Sequence, residues 1–261
     1  MKRILKIEYR KLFHSRSFFI LMGIYVLVFF IVTTNLSTAI VKVSDMGNQV
    51  DMDFGKYMGF PYIWQNMSYV AKFMKILPAI IVAMQVANEF TYGTFRQHVF
   101  NGMGRGEFLA SKLALCVGLS LFAYVLVTGA ALYVGLSKPD AATSIFEGYR
   151  YVPAFGFAML GYFTFTMLLA FLTKNTALTL AGLLGYSWVA EPLIAWRMGD
   201  EFGRWLPLNV FERLNANPFL YKVGFPGSVP ADVYGQDLLL GSVYILLFVG
   251  ISFLYVKRAD L

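Results

Sequence analysis

Charge is scarce in this chain. Only 14% of its 261 residues are Asp, Glu, Lys or Arg, against 58% hydrophobic residues and a mean hydropathy of +0.60. Soluble domains carry about 25% charge, so a water-filled surroundings is excluded and a bilayer is the solvent that fits. A single cysteine, Cys116, excludes an intramolecular disulfide, and burial must hold any outer loop. His14 and His98 are the only histidines, and neither stands in a His-Glu-x-x-His frame, so the common zinc hydrolase arrangement is missing.

The phosphate-binding loop is missing too. Its frame needs Gly-x-x-x-x-Gly-Lys-Ser/Thr so that backbone amides can wrap the phosphates. The one Gly-Lys pair, Gly55 and Lys56, has Val50 where the first glycine belongs, and Gly102, Gly104 and Gly106 follow no strand. Gly185-Tyr186-Ser187-Trp188-Val189 lacks the closing glycine of a nucleophile elbow. No apolar run carries the midplane acidic pair that a proton relay or a metal-dependent lipid enzyme requires. The chain is therefore expected to hold no cofactor and to catalyse no reaction itself.

What is present is apolar length. Crossing roughly 30 Å of hydrocarbon takes about 20 helical residues, because lipid offers no partner to backbone polar groups. Six runs qualify, at 17–37, 69–88, 110–136, 152–172, 176–195 and 238–256. The first is longer than the apolar core of a secretory signal and is expected to remain as a span. An all-α, single-domain, six-span membrane protein over residues 1–261 is the predicted fold.

Basic residues set its orientation. Lys2, Arg3, Lys6, Arg10, Lys11 and Arg16 precede the first run against one acid, Glu8, which predicts a cytoplasmic start. An even number of spans returns the chain to the same side, where Lys257 and Arg258 follow the last run. The stretch 38–68 carries Lys42 and Lys56 against Asp45, Asp51 and Asp53. The stretch 196–237 carries Arg197, Arg204, Arg213 and Lys222 against Asp200, Glu201, Glu212, Asp232 and Asp237. Both are expected outside. The basic residues segregate by membrane side and form no aromatic-interleaved patch, so nucleic acid is not an expected partner.

Several local features follow. Residues 1–16 have the spacing of an interfacial helix, with Lys2, Lys6 and Arg10 on one face and Leu5, Tyr9, Leu12 and Phe13 on another. Pro78 predicts a kink in span two. Lys72 and Lys75, near that span's outer end, either line a cavity that attracts anions or snorkel to the headgroups, the commoner behaviour. Ala177, Ala181 and Gly185 form a small-residue stripe expected to pack inside the bundle. In 196–237, Pro207 suits the start of a short outer helix, with Trp205, Leu206, Leu208, Val210, Phe211 and Leu214 in amphipathic order. Glu191-Pro192 is expected to break span five.

The polar, glycine-punctuated insert at 89–108 is where function is most legible. Phe95, Val99 and Met103 recur at four-residue spacing as candidate anchors, Arg96 and Arg105 offer charged hydrogen bonds, and Gly102, Gly104 and Gly106 let the chain turn back. Glu89, at the membrane border, is expected to pair with a basic residue. An ordinary amphipathic loop in the headgroups is the plainer reading of the same pattern.

Across Asn88-Glu89, Gly93-Thr94-Phe95-Arg96, Gly102, Arg105-Gly106-Glu107-Phe108 and Lys112 the chain resembles the ABC-2 type permeases, the membrane subunits of a class of ATP-binding-cassette exporters. The resemblance extends over nearly the whole length. It implies a multi-pass inner (plasma) membrane protein with both termini cytoplasmic. It implies a second permease copy or a homologous permease as partner, and cytoplasmic ABC ATPase subunits that hold the ATP and Mg. The insert would then be a coupling helix seated in a groove of the ATPase, contacted through Glu89, Thr94, Phe95, Arg96, Val99, Gly102 and Arg105. A non-transporting membrane anchor or assembly factor, and a membrane-embedded lipid-modifying enzyme, are the alternatives.

Overall fold

The computed structural model of the protein describes residues 10–36, 40–45, 48–53, 58–100, 102–137, 145–218 and 232–258. After a helical turn at 10–13 come α1 (Arg16–Leu36), a hairpin of β1 (Ile40–Asp45) and β2 (Asn48–Asp53), α2 (Ile63–Lys72), α3 (Ile76–Thr91) and α4 (Thr94–Phe100). Then follow α5 (Arg105–Leu136), α6 (Tyr151–Thr173), α7 (Thr176–Leu184), a π-helical turn (Gly185–Ala190), α8 (Glu191–Met198), α9 (Asp200–Gly203), α10 (Pro207–Arg213) and α11 (Gly235–Arg258). The described part of the interfacial helix expected at 1–16 is the turn at 10–13; residues 1–9, with Lys2 and Lys6, lie outside the described residues.

Five helices are long and apolar enough to cross a membrane, or six if the bent pair α2–α3 makes one span, so the chain is a multi-pass membrane protein. The fold is all-helical in its candidate spans, as expected, and one short hairpin lies in a connection between them. Residues of the first loop pair as an antiparallel hairpin, Ile40 opposite Asp53 and Asp45 opposite Asn48.

The hub is α6. In its most apolar stretch 72% of residues are buried, against 17% to 33% in the other candidate spans. It packs against α2, α3, α5, α7, α10 and α11. Its sequence reads as apolar on every face, as a helix surrounded by helices should. It stops because Lys174 adopts φ 52°, the left-handed conformation common past a helix C-terminus. The next residue restarts the chain: Asn175 Oδ1 accepts from the amides of Ala177 at 2.9 Å and Leu178 at 3.2 Å, capping α7. Several threonine hydroxyls inside the spans are satisfied locally, as where Thr33 donates to the Phe29 carbonyl at 2.9 Å and Thr166 to the Tyr162 carbonyl at 2.9 Å.

Span two bends by 46° between α2 and α3. The bend lies before Pro78, not at it. Met74, Lys75 and Leu77 donate to carbonyls three residues back, a tightened turn, and Pro78 then occupies the first turn of α3, where a missing amide hydrogen is tolerated. Span five is not broken at Glu191-Pro192. The π-helical turn just before it widens the backbone, and the Glu191 amide reaches the Tyr186 carbonyl, so helix continues to Met198. The stripe Ala177, Ala181 and Gly185 faces outward, exposed, and not into the bundle.

Helix α10 starts at Pro207, as its sequence suggests, and buries Leu208, Val210 and Phe211. Phe211 fills a slot opened by two glycines. A Cβ on Gly161 of α6 would stand 2.2 Å from its ring, and one on Gly241 of α11 would stand 3.0 Å away.

Candidate functional site

Two ion-pair knots lie at opposite ends of the bundle, and both use the bent span. At one end, Glu89 near the C-terminus of α3 is fully buried. Its Oε1 accepts from Lys112 Nζ of α5 at 2.7 Å and from Lys11 Nζ, and Thr94 Oγ1 at the start of α4 donates to Oε2 at 3.3 Å. Lys112 is also fully buried, while the Lys11 side chain keeps 39% of its surface. A buried carboxylate with two lysines and a hydroxyl has its lone pairs used, which is the condition under which burying such charges is tolerable.

Beside this knot sits an aromatic clasp. Phe95 of α4 lies 5.1 Å from Phe90 of α3 and 4.9 Å from Phe108 of α5, and Phe171 of α6 closes the group at 5.9 Å from Phe90. The rings meet mostly edge to face, the geometry their quadrupoles favour. Phe95 is therefore 3% exposed and Met103 packs on the core, which corrects the expectation that both present themselves to a partner. Glu89, Thr94 and Phe95 hold α4 to α3 and α5 instead. Arg105 likewise turns to its own chain and donates to the Lys257 carbonyl at the end of α11.

What α4 shows outward is different from what its sequence suggests. Gln97 and Phe100 are exposed, Phe100 by 77%, and Tyr92 just before the helix by 73%. Arg96, His98 and Val99 lie on α4, but their side chains lie outside the described residues. Gly93 and Gly102 bracket the helix, both left-handed at φ 66° and 83°. Gly102 makes the return turn; Gly104 is ordinary and N-terminal to α5, its amide donating to Glu107 at 3.1 Å, and Gly106 is helical. The links around α4 are short, since α3 runs to Thr91 and α5 begins at Arg105. With 32 residues, α5 is about 48 Å long, more than the roughly 30 Å of hydrocarbon, so its ends extend beyond the apolar layer.

The other end carries the second knot. Lys72 Nζ meets Glu212 Oε2 of α10 at 2.9 Å and donates to the Asn215 carbonyl at 2.8 Å, and Lys75 Nζ meets Glu212 Oε1. Both lysine side chains are largely buried, at 14% and 12% exposure. They neither snorkel nor line an open cavity; they fasten α10 to the bend. Burial by itself would raise the Glu212 pKa, but Lys75 and Lys72 outweigh it and hold the carboxyl below its ordinary range. Nearby, buried Glu191 of α8 accepts from the amides of Leu208 and Asn209, both at 2.8 Å, and caps the N-terminus of α10. Arg213 reaches Asp237 of α11 at 3.5 Å.

Sequence reasoning foresaw a basic partner for Glu89 but missed Glu212 and Glu191. A charge in an amphipathic segment gives no local sign that it faces inward, and the partner lysines are more than 130 residues away. Among the described residues, no group of three or more His, Cys, Asp and Glu side chains is placed to hold a metal ion. No family model matches the chain, and no curated protein matches it significantly.

Proposed function

We propose that the protein is the membrane-spanning subunit of an ABC-2 type exporter, docking separate ATPase subunits on α4 and pairing with a second permease. The observation that carries this reading is α4 itself. It is a seven-residue helix between two candidate spans, flanked by left-handed Gly93 and Gly102 and clasped through Phe95 and Glu89 to the ends of α3 and α5, with Phe171 of α6 closing the aromatic group. A push on such a helix reaches α3 and α5 directly and α6 through Phe90 and Phe108, whereas a plain connecting turn would absorb it.

The segments gathered at that end support the orientation. Lys11, α4, the Thr173–Asn175 turn and Lys257 meet there, through Lys11 with Glu89, Thr91 donating to the Lys174 carbonyl at 3.3 Å, and Arg105 with the Lys257 carbonyl. These are the segments whose basic residues favour the cytoplasm. Transport would then be a population shift between two bundle arrangements, driven by nucleotide binding in the partner. Docking falls to the exposed Phe100, Gln97 and Tyr92 together with Arg96 and Val99 on α4.

The alternative of a passive anchor is separated by one measurement. Purify the chain with its copurifying ATPase, reconstitute it, and compare ATP turnover for wild type, Phe100→Glu and Gly102→Pro. An exporter loses stimulated turnover in both variants with membrane insertion retained. Unchanged turnover in both, or no copurifying ATPase at all, would overturn the assignment.

A further inference from the structure

We infer that the groove between the start of α1 and α5 is a binding site for an acidic membrane phospholipid. One acyl chain lies in the groove and the headgroup phosphate sits at Arg10 and Arg16. This inference does not depend on an ATPase partner.

The groove has a volume of about 390 Å³ and is walled by Leu12, Phe13, Phe18, Met22 and Phe122, with Gly118 in its floor. Gly118 leaves it open, since a Cβ built there meets nothing within 4 Å. Its walls belong to two helices long and apolar enough to be spans, and to the turn that leads into the first. A tail leaving the bilayer for this groove exchanges one hydrocarbon surrounding for another, so apolar burial does not hold it there. The headgroup must.

Charge next to the lining residues in sequence selects which headgroup. Arg10 and Arg16 are exposed and bracket the groove residues Leu12 and Phe13 in sequence, with Phe18 one turn further on. The preceding sequence adds Lys2, Arg3 and Lys6 against Glu8 alone. A cluster of this density beside a span attracts anionic lipid at about 1 kcal/mol per basic residue. A zwitterionic headgroup brings an ammonium along with its phosphate and gains less. The arrangement has a consequence inside the protein. Lys11, between the two arginines, is the residue that closes the Glu89 knot. A lipid that orders 10–16 therefore steadies the support under α4.

The test is native mass spectrometry of the full-length protein in detergent, titrated with palmitoyl-oleoyl phosphatidylglycerol or phosphatidylcholine. Wild type should retain phosphatidylglycerol in preference to phosphatidylcholine. Each arginine-to-alanine change should weaken that retention about fivefold, and Arg10→Ala with Arg16→Ala about 25-fold. Gly118→Leu should fill the groove, displace the acyl chain and weaken retention, while Gly129→Leu, equally free of neighbours on the same helix, should retain phosphatidylglycerol as wild type does. Equal retention of the two lipids, or undiminished retention by Gly118→Leu, overturns the inference. So does retention that appears only after residues 2–9 are deleted, which would assign the groove to the chain's own start.

Discussion

Replacing Glu89 with Gln removes one charge and almost no volume, yet it should be the most damaging single change at the α4 end. Lys112 is fully buried and meets Glu89 at 2.7 Å, so the amide leaves an ammonium in the interior without its counter-ion. Stranding one member of a buried pair costs about 3–5 kcal/mol. Lys112→Met should cost less, about 1–3 kcal/mol, because Glu89 still has Lys11 and Thr94. Lys11→Met should cost under about 1 kcal/mol, since that side chain is 39% exposed and solvent already screens it. Thermal aggregation of detergent-solubilised protein, followed by fluorescence-detected size exclusion, reads the order directly. At roughly 2–4 °C per kcal/mol for a chain of this size, Glu89→Gln should melt about 10 °C below wild type. Glu89→Leu combined with Lys112→Met should recover most of that loss, because it removes both charges together. The reasoning fails if Glu89→Gln melts with wild type, if Lys11→Met is as damaging as Glu89→Gln, or if the double replacement is no better than Glu89→Gln.

Three further experiments have definite expected outcomes. Gly161→Ala should destabilise by about 1–3 kcal/mol, because the new methyl would meet the Phe211 ring at 2.2 Å, whereas Gly250→Ala, with nothing within 4 Å, should be neutral or better; paired melting curves check both. Glu212→Gln should loosen α10 in a pH-dependent way. Its folded carboxyl titrates below the ordinary value, so its contribution is complete above about pH 4.3 and fades as pH falls through the lower folded value. The melting difference between wild type and Glu212→Gln should therefore be constant at neutral pH and shrink in acid, and a difference that grows in acid would contradict it. In a Cys116→Ser background, Gln97→Cys should react with a membrane-impermeant maleimide only after permeabilisation and Glu201→Cys in intact cells, and the reverse pattern would invert the orientation proposed for the bundle.

Apolar length and turn chemistry were legible because each is local. Five of the six runs recur as single uninterrupted helical segments within a few residues of their expected ends, and Pro207 and the glycine at 102 act where their backbone chemistry says they should. Facing was much less legible. Phe95 and Met103 show four-residue spacing whether they point at a partner or at Phe108 and Phe171, and only the approach of α5 and α6 decides between these. The lysines of span two were misread for the same reason. Snorkelling is the default for a lysine near a span's end, and it fails here because α10, distant in sequence, brings Glu212 to them. The small-residue stripe of span five illustrates the converse, since its spacing permits close helix contact but its exposed position leaves that contact unused within this chain.

The bent span ties these observations into one mechanical unit. Lys75 stands at the start of α3 and Glu89 near its end, about 21 Å apart along a helix of 1.5 Å rise per residue. Each end is pinned by charge to a different set of elements, Glu212 of α10 at one and Lys112 of α5 at the other. A displacement of α4 would act on α3 through the Phe90–Phe95 contact and the Glu89 knot, and a stiff helix carries it to Lys75 with little loss. The 46° bend is where that motion can be taken up, because the turn at 73–75 is held by three-residue bonds and the following proline supplies no amide to reinforce it. If α4 receives the stroke of an ATPase, the Lys72–Lys75–Glu212 knot is the first contact at the far end to feel it. Cross-linking that end, with Lys75→Cys and Glu212→Cys in the Cys116→Ser background, should then block transport while leaving ATPase binding intact. Transport that survives a completed cross-link would show that the far end moves independently of α3.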